Sequence, residues 1–519
     1  MAPAQQQNAQ CTQANNAAHS IALIDNLACQ FWTSPRGLME HLRHSHEASA
    51  WYMQTNDKRP TRNILVFFHA LGIGGGERVT CALAEIWQSL SMNVTIVTDL
   101  PVDQNQPHQD IPAGVGHRVI PDYNHLTGET YPARSRALSE IIEETHADTM
   151  VFAHWFADSL PFDLLTCKAH GLKTYLFIQS LFTLFFLDDL RPQLVDMPCC
   201  YELADGVVCL NDTDRFVWSQ FNPNTFVTQN PITMPPNRRP APLEGHVIIW
   251  PARLHPDKCP ERVIPIMREL LTMVPDAMLH MVDPVDEPYK TEFLQLARQS
   301  HVEHAITLHG EQSPEQMDGF YQDADAFLLT SRREGWSLAL AEAMSHGLPC
   351  VMYALPYLSL TRDNPAVIQI EQDDAHSAAA TLAKVLTDKE YARTLGASEQ
   401  AFLCNMATYD HRVFWNELFG SNKASDVNTR VSDPASIAIH EAFSAHGEYI
   451  AHQRAIRDLI FAQKDTHIRN LESINGSLTS RCEDLSKEIE AIRNSRSFKL
   501  GRAITAVPHM LRNLLRHSS

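Results

Sequence analysis

Glu334 and Glu342 bracket the stretch Glu334-Gly335-Trp336-Ser337-Leu338-Ala339-Leu340-Ala341-Glu342. A carboxylate inside the first turns of a helix can accept hydrogen bonds from both hydroxyls of a ribose. The free N–H groups and positive dipole end of a helix start suit a phosphate. A pair of glutamates at this spacing also occurs on ordinary solvated helices, so the glycine before the helix and Ala343-Met344-Ser345-His346-Gly347-Leu348-Pro349 after it carry much of the signal. A second set is Arg253 and Lys258 in Pro251-Ala252-Arg253-Leu254-His255-Pro256-Asp257-Lys258. A guanidinium fork and an ammonium point charge in one loop can clamp a diphosphate, or they can be two surface cations. A third is Gly72-Ile73-Gly74-Gly75-Gly76-Glu77-Arg78, where consecutive glycines let backbone approach a ligand at a helix start. It opens like a dinucleotide fingerprint, with Asp99 where a ribose acid would stand, but Glu77 holds the last fingerprint position and would repel a pyrophosphate.

These residues need elements to position them. Ile64–Phe68, Val94–Thr98, Thr149–Ala153, Thr174–Ile178 and Gly206–Leu210 are short apolar runs of buried-strand type, with helical stretches such as Glu77–Leu90 between them. Pro231, Pro235, Pro236, Pro240 and Pro242 then mark a semi-rigid linker. Alternation resumes with strands at Val247–Trp250, Ala277–Val282, Ile306–Leu308, Ala326–Leu329 and Cys350–Tyr353. Helices fall at Glu261–Val274, Tyr289–Ser300, Pro314–Gln322 and Ser337–His346. The pattern predicts two doubly wound α/β domains facing a cleft, with ligands at the carboxyl ends of the strands. We expect a polar extension or loose cap over residues 1–60, with one short helix near Leu38–His46, then domains at 61–232 and 243–405. A crossover helix at 406–424 and a helical, coiled-coil extension at 425–519 follow. In the extension Leu471, Leu478, Leu485 and Ile492 recur every seven residues, with Asn475, Cys482 and Ile489 interleaved. After Glu490 the chain is basic and amphipathic, including Arg493, Arg496, Lys499, Arg502, Arg512 and Arg516. That tail suits an inner-membrane surface or acidic partner, or packs on its own protein.

The glycine loop, the Arg253…Lys258 pair and the Glu334…Glu342 segment, in this order, resemble GT-B glycosyltransferases of family 4 over about residues 62–420. Such enzymes move sugars from nucleotide diphosphate donors with retention at the anomeric carbon. The resemblance implies that Arg253 and Lys258 hold the donor diphosphate and Glu342 the ribose, that Glu334 lies near the donor sugar, and that Gly74, Gly75 and Gly76 close over the reaction centre. Gly335, Trp336, Ser337 and Leu338 complete the donor site. His154, at the end of a strand, matches a histidine that faces the sugar's primary hydroxyl in the family; an ordinary packing histidine is the plain alternative. Catalytic roles then fall to Glu334, His154, Arg253 and Lys258. The implied reaction needs no metal and no cofactor beyond the nucleotide-sugar co-substrate, so Asp212-Thr213-Asp214 reads as a polar helix start. Two departures stand out: no glycine occurs from Leu348 to Leu395, where the family commonly has a Gly-Gly loop, and Gln179-Ser180 replaces a frequent histidine. Asn494–Gly501 resembles a tail segment of bacterial surface-polysaccharide glycosyltransferases, which implies a glycan or lipid-linked acceptor.

Composition sets the outer bounds. The chain has 519 residues, 44% hydrophobic and 20% charged, which allows a large core and excludes global disorder. Its net charge of −19 argues against nucleic acid as a partner. The 11 cysteines form neither a disulfide framework nor a zinc pattern. With no cationic, apolar leader visible, and Thr174–Leu187 too short to span a bilayer, we expect a cytoplasmic protein, peripheral on the membrane at most. Self-association through 471–492 is also expected. Two other readings remain at this point: a nicotinamide-dependent oxidoreductase using Gly72–Gly76 and Asp99, and a non-catalytic scaffold of GT-B type.

Overall fold

The computed structural model describes residues 3–45, 61–103, 108–186, 192–254, 258–282, 287–420 and 434–502. Residues 1–447 form one compact unit and 448–519 a second. In the first unit lie two all-parallel sheets. One has seven strands in the order β3-β2-β1-β4-β5-β6-β7: β1 Asn63–Phe67, β2 Asn93–Thr98, β3 Gly116–Val119, β4 Thr149–Phe152, β5 Lys173–Phe177, β6 Gly206–Cys209 and β7 Thr225–Val227. The other has six in the order β10-β9-β8-β11-β12-β13: β8 Val247–Pro251, β9 Met278–Val282, β10 Ile306–Gly310, β11 Ala326–Leu329, β12 Cys350–Tyr353 and β13 Ile368–Ile370. Helices cover both faces of a parallel sheet, so β4, β5, β6, β11 and β12 are buried throughout and read as largely apolar runs, with Thr149, Lys173 and Thr174 the polar exceptions in β4 and β5.

In both sheets the strand order reverses near the middle, between β1 and β4 in the first and between β8 and β11 in the second. The crevice outside the carboxyl ends of the strands at such a switch point is where ligands of this architecture sit. The loops after β1, β4, β8 and β11 carry Gly72–Gly76, His154, Arg253 to Lys258 and Glu334 to Ser337. The motif residues are therefore gathered by topology alone.

The Pro231–Pro242 linker is docked on the second domain. Ala241 N–H donates to His346 O at 2.8 Å, Gln400 Nε2 donates to Arg238 O at 2.9 Å, and Ala241 and Leu243 are buried. After the helix Lys389–Met406, the helix His411–Gly420 returns to the first domain. There Lys173 Nζ donates to Phe419 O at 3.1 Å, and Trp415 meets Trp87 edge-on at 5.1 Å.

The polar extension or loose cap expected at the start of the chain is corrected to docked helices, of which the short one expected near Leu38–His46 is present as Pro35–His44. Pro3–Phe31 and Pro35–His44 are helices, and Ile24, Leu27, Ala28, Leu38, Met39 and Leu42 join the core on one face of the first sheet. Trp32 stacks on Phe162 at 5.5 Å, Ser135 Oγ donates to Asp25 Oδ1 at 2.7 Å, and Arg36 and Arg43 pair with Asp196 and Glu202. The reason for the difference is compositional. The first helix is rich in Gln and Asn along its sequence, and exposed His19, Asn26, Gln30, His41 and His44 dilute a real apolar stripe. The helix Leu160–Ala169, which the first helix covers, is consequently buried at nearly every residue. Residues 46–60 lie outside the described residues, as do 421–433 and most of the expected membrane-binding tail, 503–519.

One buried acid ties the second sheet to the helix Lys389–Met406: Cys350 N–H donates to Glu399 Oε1 at 3.0 Å. Burial raises the Glu399 pKa to about 8, against 4.5 for an exposed glutamate. Below pH 4.5 both folded and unfolded chains hold this proton, and above that only the folded chain does. Stability therefore falls as pH rises from 4.5 to about 8. Glu399→Gln keeps the acceptor and never ionises. It should add a few kcal/mol at pH 8 and nothing at pH 4. Urea unfolding at both pH values checks this, and equal gains at the two would refute it.

The helix Pro434–Asn494 begins in the first unit, where Phe443 packs on Phe186 at 4.8 Å and on Phe221 at 5.4 Å. The second unit consists of the continuation of this helix, exposed over residues 464–494. Among the described residues no helix is long and apolar enough to cross a membrane.

Candidate active site

A cavity of about 590 Å³ opens between the two domains. All of the expected residues except His154 line it: Gly74, Gly75, Gly76, Arg253, Lys258, Glu334, Gly335, Trp336, Ser337, Leu338 and Glu342. The helix Leu338–Ser345 points its start at this space. Its N-cap, Ser337, has φ +68° and makes no side-chain cap bond, so the first-turn amides have no partner from a capping side chain. A left-handed serine costs energy that the surrounding fold must hold, a common condition at ligand-binding turns. Gly335 faces the Gln179 carbonyl so closely that any Cβ would overlap it. Here the second domain touches the first, and only glycine fits.

Two ion pairs organise the walls. Lys258 Nζ bonds Glu334 Oε1 at 2.7 Å, and Ser331 Oγ donates to the same oxygen at 2.7 Å. Arg78, from the helix that follows the glycine loop, pairs with Glu342 Oε1 across the domains, and Tyr321 OH donates to Glu342 Oε2 at 2.8 Å. Tyr321 in turn stacks on His346, whose Nε2 lies 2.8 Å from Asp318 Oδ1. The Glu342 carboxylate is thus held in place from both sides. Glu77, also lining the cavity, has its carboxyl pushed up by burial, while its own backbone N–H, the Arg253 guanidinium and His69 pull it down.

The loop without glycines has its own solution. Tyr357 OH accepts from Glu334 N–H at 3.2 Å, Ser359 Oγ donates to Leu210 O at 3.0 Å, and Arg362 pairs with Asp212 at 2.7 Å. The loop after β12 therefore steadies the Glu334 turn with a phenol and bridges to the first domain.

His154 does not line the cavity. Its ring lies among Phe67, Phe68, His69, Tyr123 and Phe156, and its Nε2 is 2.9 Å from Tyr123 OH. Burial, with His69 and Arg134 adding to it, lowers its pKa to about 3, so it is neutral near pH 7. Beside it, with ring centroids 5.7 Å apart, stands His69, a residue the motifs did not single out. His69 Nδ1 is 2.8 Å from Asp99 Oδ2, and this bond raises its pKa despite half-burial. Asp99 is buried, and its other oxygen is taken by Arg134, which also reaches Asp163 Oδ2 at 3.0 Å. The Asp99 side chain has no exposed surface, unlike that of Glu342, so it presents no oxygen to a cofactor ribose, which argues against the nicotinamide reading. Among the described residues, His69, Asp99 and Asp122 are the one group with metal-ligand spacing, and Arg134 already occupies part of it. Asp212 and Asp214 open the helix Asp212–Trp218, with Asn211 as its cap and Asp214 accepting from Phe182 N–H at 2.9 Å.

Arg78, Tyr321, Gln179 and Asn230 line the cavity and were not expected there as site residues. Gln179 Nε2 and Asn230 Oδ1 are buried without a partner, a donor and an acceptor on the cavity wall. Arg78 adjoins the glycine loop and was legible in principle; Tyr321 reaches the site only through tertiary packing.

Comparison with known proteins adds independent findings. Residues 236–401 match the family model for glycosyl transferases group 1. An uncharacterized glycosyltransferase of Haemophilus influenzae is 21% identical over 282 residues, covering 54% of this chain and 77% of that protein. Among solved structures, Anabaena HepE in complex with UDP and glucose superposes with a TM-score of 0.54 at 14% identity, over 69% of this chain and 98% of that one. WaaG, described as a glycosyltransferase involved in lipopolysaccharide biosynthesis, gives 0.55 at 12% identity, over 69% and 99%. Residues 236–401 thus carry a glycosyl transferases group 1 domain, within a chain that has the GT-B glycosyltransferase fold.

Proposed function

We propose that this protein is a retaining, metal-independent glycosyltransferase of family 4, of hexosyltransferase type. It moves a sugar from a nucleoside diphosphate donor to a glycan or lipid-linked acceptor, in cell-surface polysaccharide synthesis on the cytoplasmic side. The observation that carries this reading is the convergence of Arg253, Lys258, the start of the helix Leu338–Ser345 and Glu342 on one interdomain cavity. Two cations and a helix start meet the charge of a leaving diphosphate. Glu342, fixed by Tyr321 and Arg78, offers its carboxylate to ribose hydroxyls. Glu334, steadied by Ser331 and Tyr357, sits where the donor sugar would lie and can accept from its hydroxyls. The acceptor hydroxyl enters on the face the diphosphate leaves, and the leaving phosphate oxygen takes its proton. Contact at Gly335 and Gln179 narrows the cleft and limits water.

A thermal-shift panel of UDP, GDP, ADP, their sugar conjugates and NAD tests the reading. A ligand at about 100 times its dissociation constant adds roughly 2.7 kcal/mol of stability. One nucleoside diphosphate should shift the wild type. Glu342→Ala should weaken that ligand roughly 10–100-fold, as expected for lost hydrogen bonds to a charged group. Unchanged affinity would remove the ribose role, and a shift with NAD alone would overturn the proposal. Binding without turnover on any acceptor would favour a scaffold.

A further inference from the structure

The exposed helix of the second unit carries an apolar seam. Leu471, Leu478, Leu485 and Ile492 form one column, and Ile468, Asn475, Cys482 and Ile489 the other. Its Leu and Ile side chains are 44–58% exposed, an unusual state for branched aliphatics at this density. Spacing assigns the first column to heptad position d and the second to a. Lys464 precedes the seam at a d position, and Arg496 and Lys499 follow it at a and d. The seam therefore has defined ends, about 36 Å apart at helical rise.

We propose that a second copy of this chain covers the seam, as a parallel, in-register, two-stranded coiled coil. Leu at d, with Ile at a, favours two strands. Asn475 selects the orientation. In any antiparallel pairing an a residue packs against d, and every d residue from 471 to 492 is Leu or Ile, so the amide would lose its partners. A parallel pair shifted by one heptad places it against Ile468 or Cys482. Only the parallel, unshifted pair sets Asn475 beside Asn475 of the second copy, where each amide donates to the other. The flanking positions agree. In that register His467 faces Glu472 of the second copy and Glu488 faces Arg493, while Arg481 faces Ser486 and Ile474 faces Thr479, so no like charges meet. A membrane surface fits this segment poorly, because Glu472, Glu483, Asp484, Glu488 and Glu490 outnumber Arg469, Arg481 and Lys487. Gly476 lies on the outer face and weakens the helix by about 1 kcal/mol, which makes pairing concentration-dependent.

The same register places Cys482 opposite Cys482 of the second copy, and Cys482 is a free, exposed thiol. Light scattering on the full chain should give twice the 58.5 kDa chain mass. Leu478→Asp with Leu485→Asp should halve it, with the melting of the first unit unchanged. Diamide should yield a disulfide-linked dimer that Cys482→Ser abolishes. Asn475→Leu should lower the Cys482 crosslink yield at least several-fold, because the orientation is no longer selected. A monomeric wild type, a trimer or tetramer, a dimer that survives the double aspartate variant, or crosslinking independent of Cys482 would each overturn the proposal. None of these readouts depends on glycosyl transfer.

Discussion

Arg134→Met should lower the unfolding free energy at pH 7 by about 3–5 kcal/mol, the usual cost of removing one partner from a buried ion pair. Arg134 is fully buried, pairs with Asp99 and Asp163, donates to Pro121 O at 2.6 Å, and lies 5.0 Å from the Phe67 ring centroid. Methionine fills much of the space but leaves two carboxylates buried together. Burial already raises the Asp163 pKa, with Arg134 opposing. Without the guanidinium the folded-state value rises further. The variant's missing stability is then present below the unfolded aspartate pKa and lost as pH rises above it. The deficit against wild type should shrink toward pH 4 and be largest near neutrality. Chemical denaturation at several pH values measures it, and a deficit under 1 kcal/mol at pH 7 would mean that the pairing contributes little. Because Arg134 also anchors Asp99, and Asp99 orients His69, the variant should show a changed titration of the His69 ring by NMR.

Lys258→Ala should cut turnover roughly 10²–10³-fold, the scale seen when one charge-stabilising donor is removed from a transition state. The ammonium sits 2.7 Å from Glu334 and lines the same cavity as Arg253. Its loss withdraws one positive charge from the departing diphosphate and leaves the Glu334 carboxylate facing it unneutralised. Both effects act where negative charge grows, so kcat should fall more than KM rises. Folding should hardly change, since a partly exposed pair contributes at most about 1 kcal/mol. Lys258→Arg keeps the charge with a different reach and should recover part of the rate. Turnover within twofold of wild type in the alanine variant would remove Lys258 from the catalytic set.

The parts of the fold that could be read from the chain are those that burial writes into composition. Central strands such as β4 and β5 are covered on both faces and are mostly apolar apart from Thr149, Lys173 and Thr174 at their starts, so their positions were legible to within a residue or two. Edge strands follow no such rule. β3 is Gly116-His117-Arg118-Val119 with half its residues exposed, and β7 and β13 are three residues each, so none of them leaves a pattern. Of the two opening helices the second, Pro35–His44, was expected near Leu38–His46, while the first, Pro3–Phe31, was missed because its polar residues outweigh a narrow buried stripe. At the site, the residues close in sequence to a turn or helix start were legible, because the backbone there already implies a ligand. Tyr321 and the Arg134–Asp99–His69 chain were not, because their positions depend on which loops the two sheets bring together; Gln179 was noted only as replacing a frequent histidine. His154 shows the converse: a strand-end position was readable, while the aromatic shell that encloses it was not.

The docking of the opening helices has a consequence for synthesis. Arg36 meets Asp196 and Arg43 meets Glu202, partners separated by 160 and 159 residues of chain. At translation rates of about 5–20 residues per second, the first apolar stripe made waits roughly 8–30 seconds for the surface it covers. During that interval Leu38, Met39 and Leu42 belong to a nascent chain that cannot yet bury them. The opening segment is born first and seated late, which makes it a natural client for a chaperone at the ribosome and the stretch where stalled synthesis would most readily aggregate.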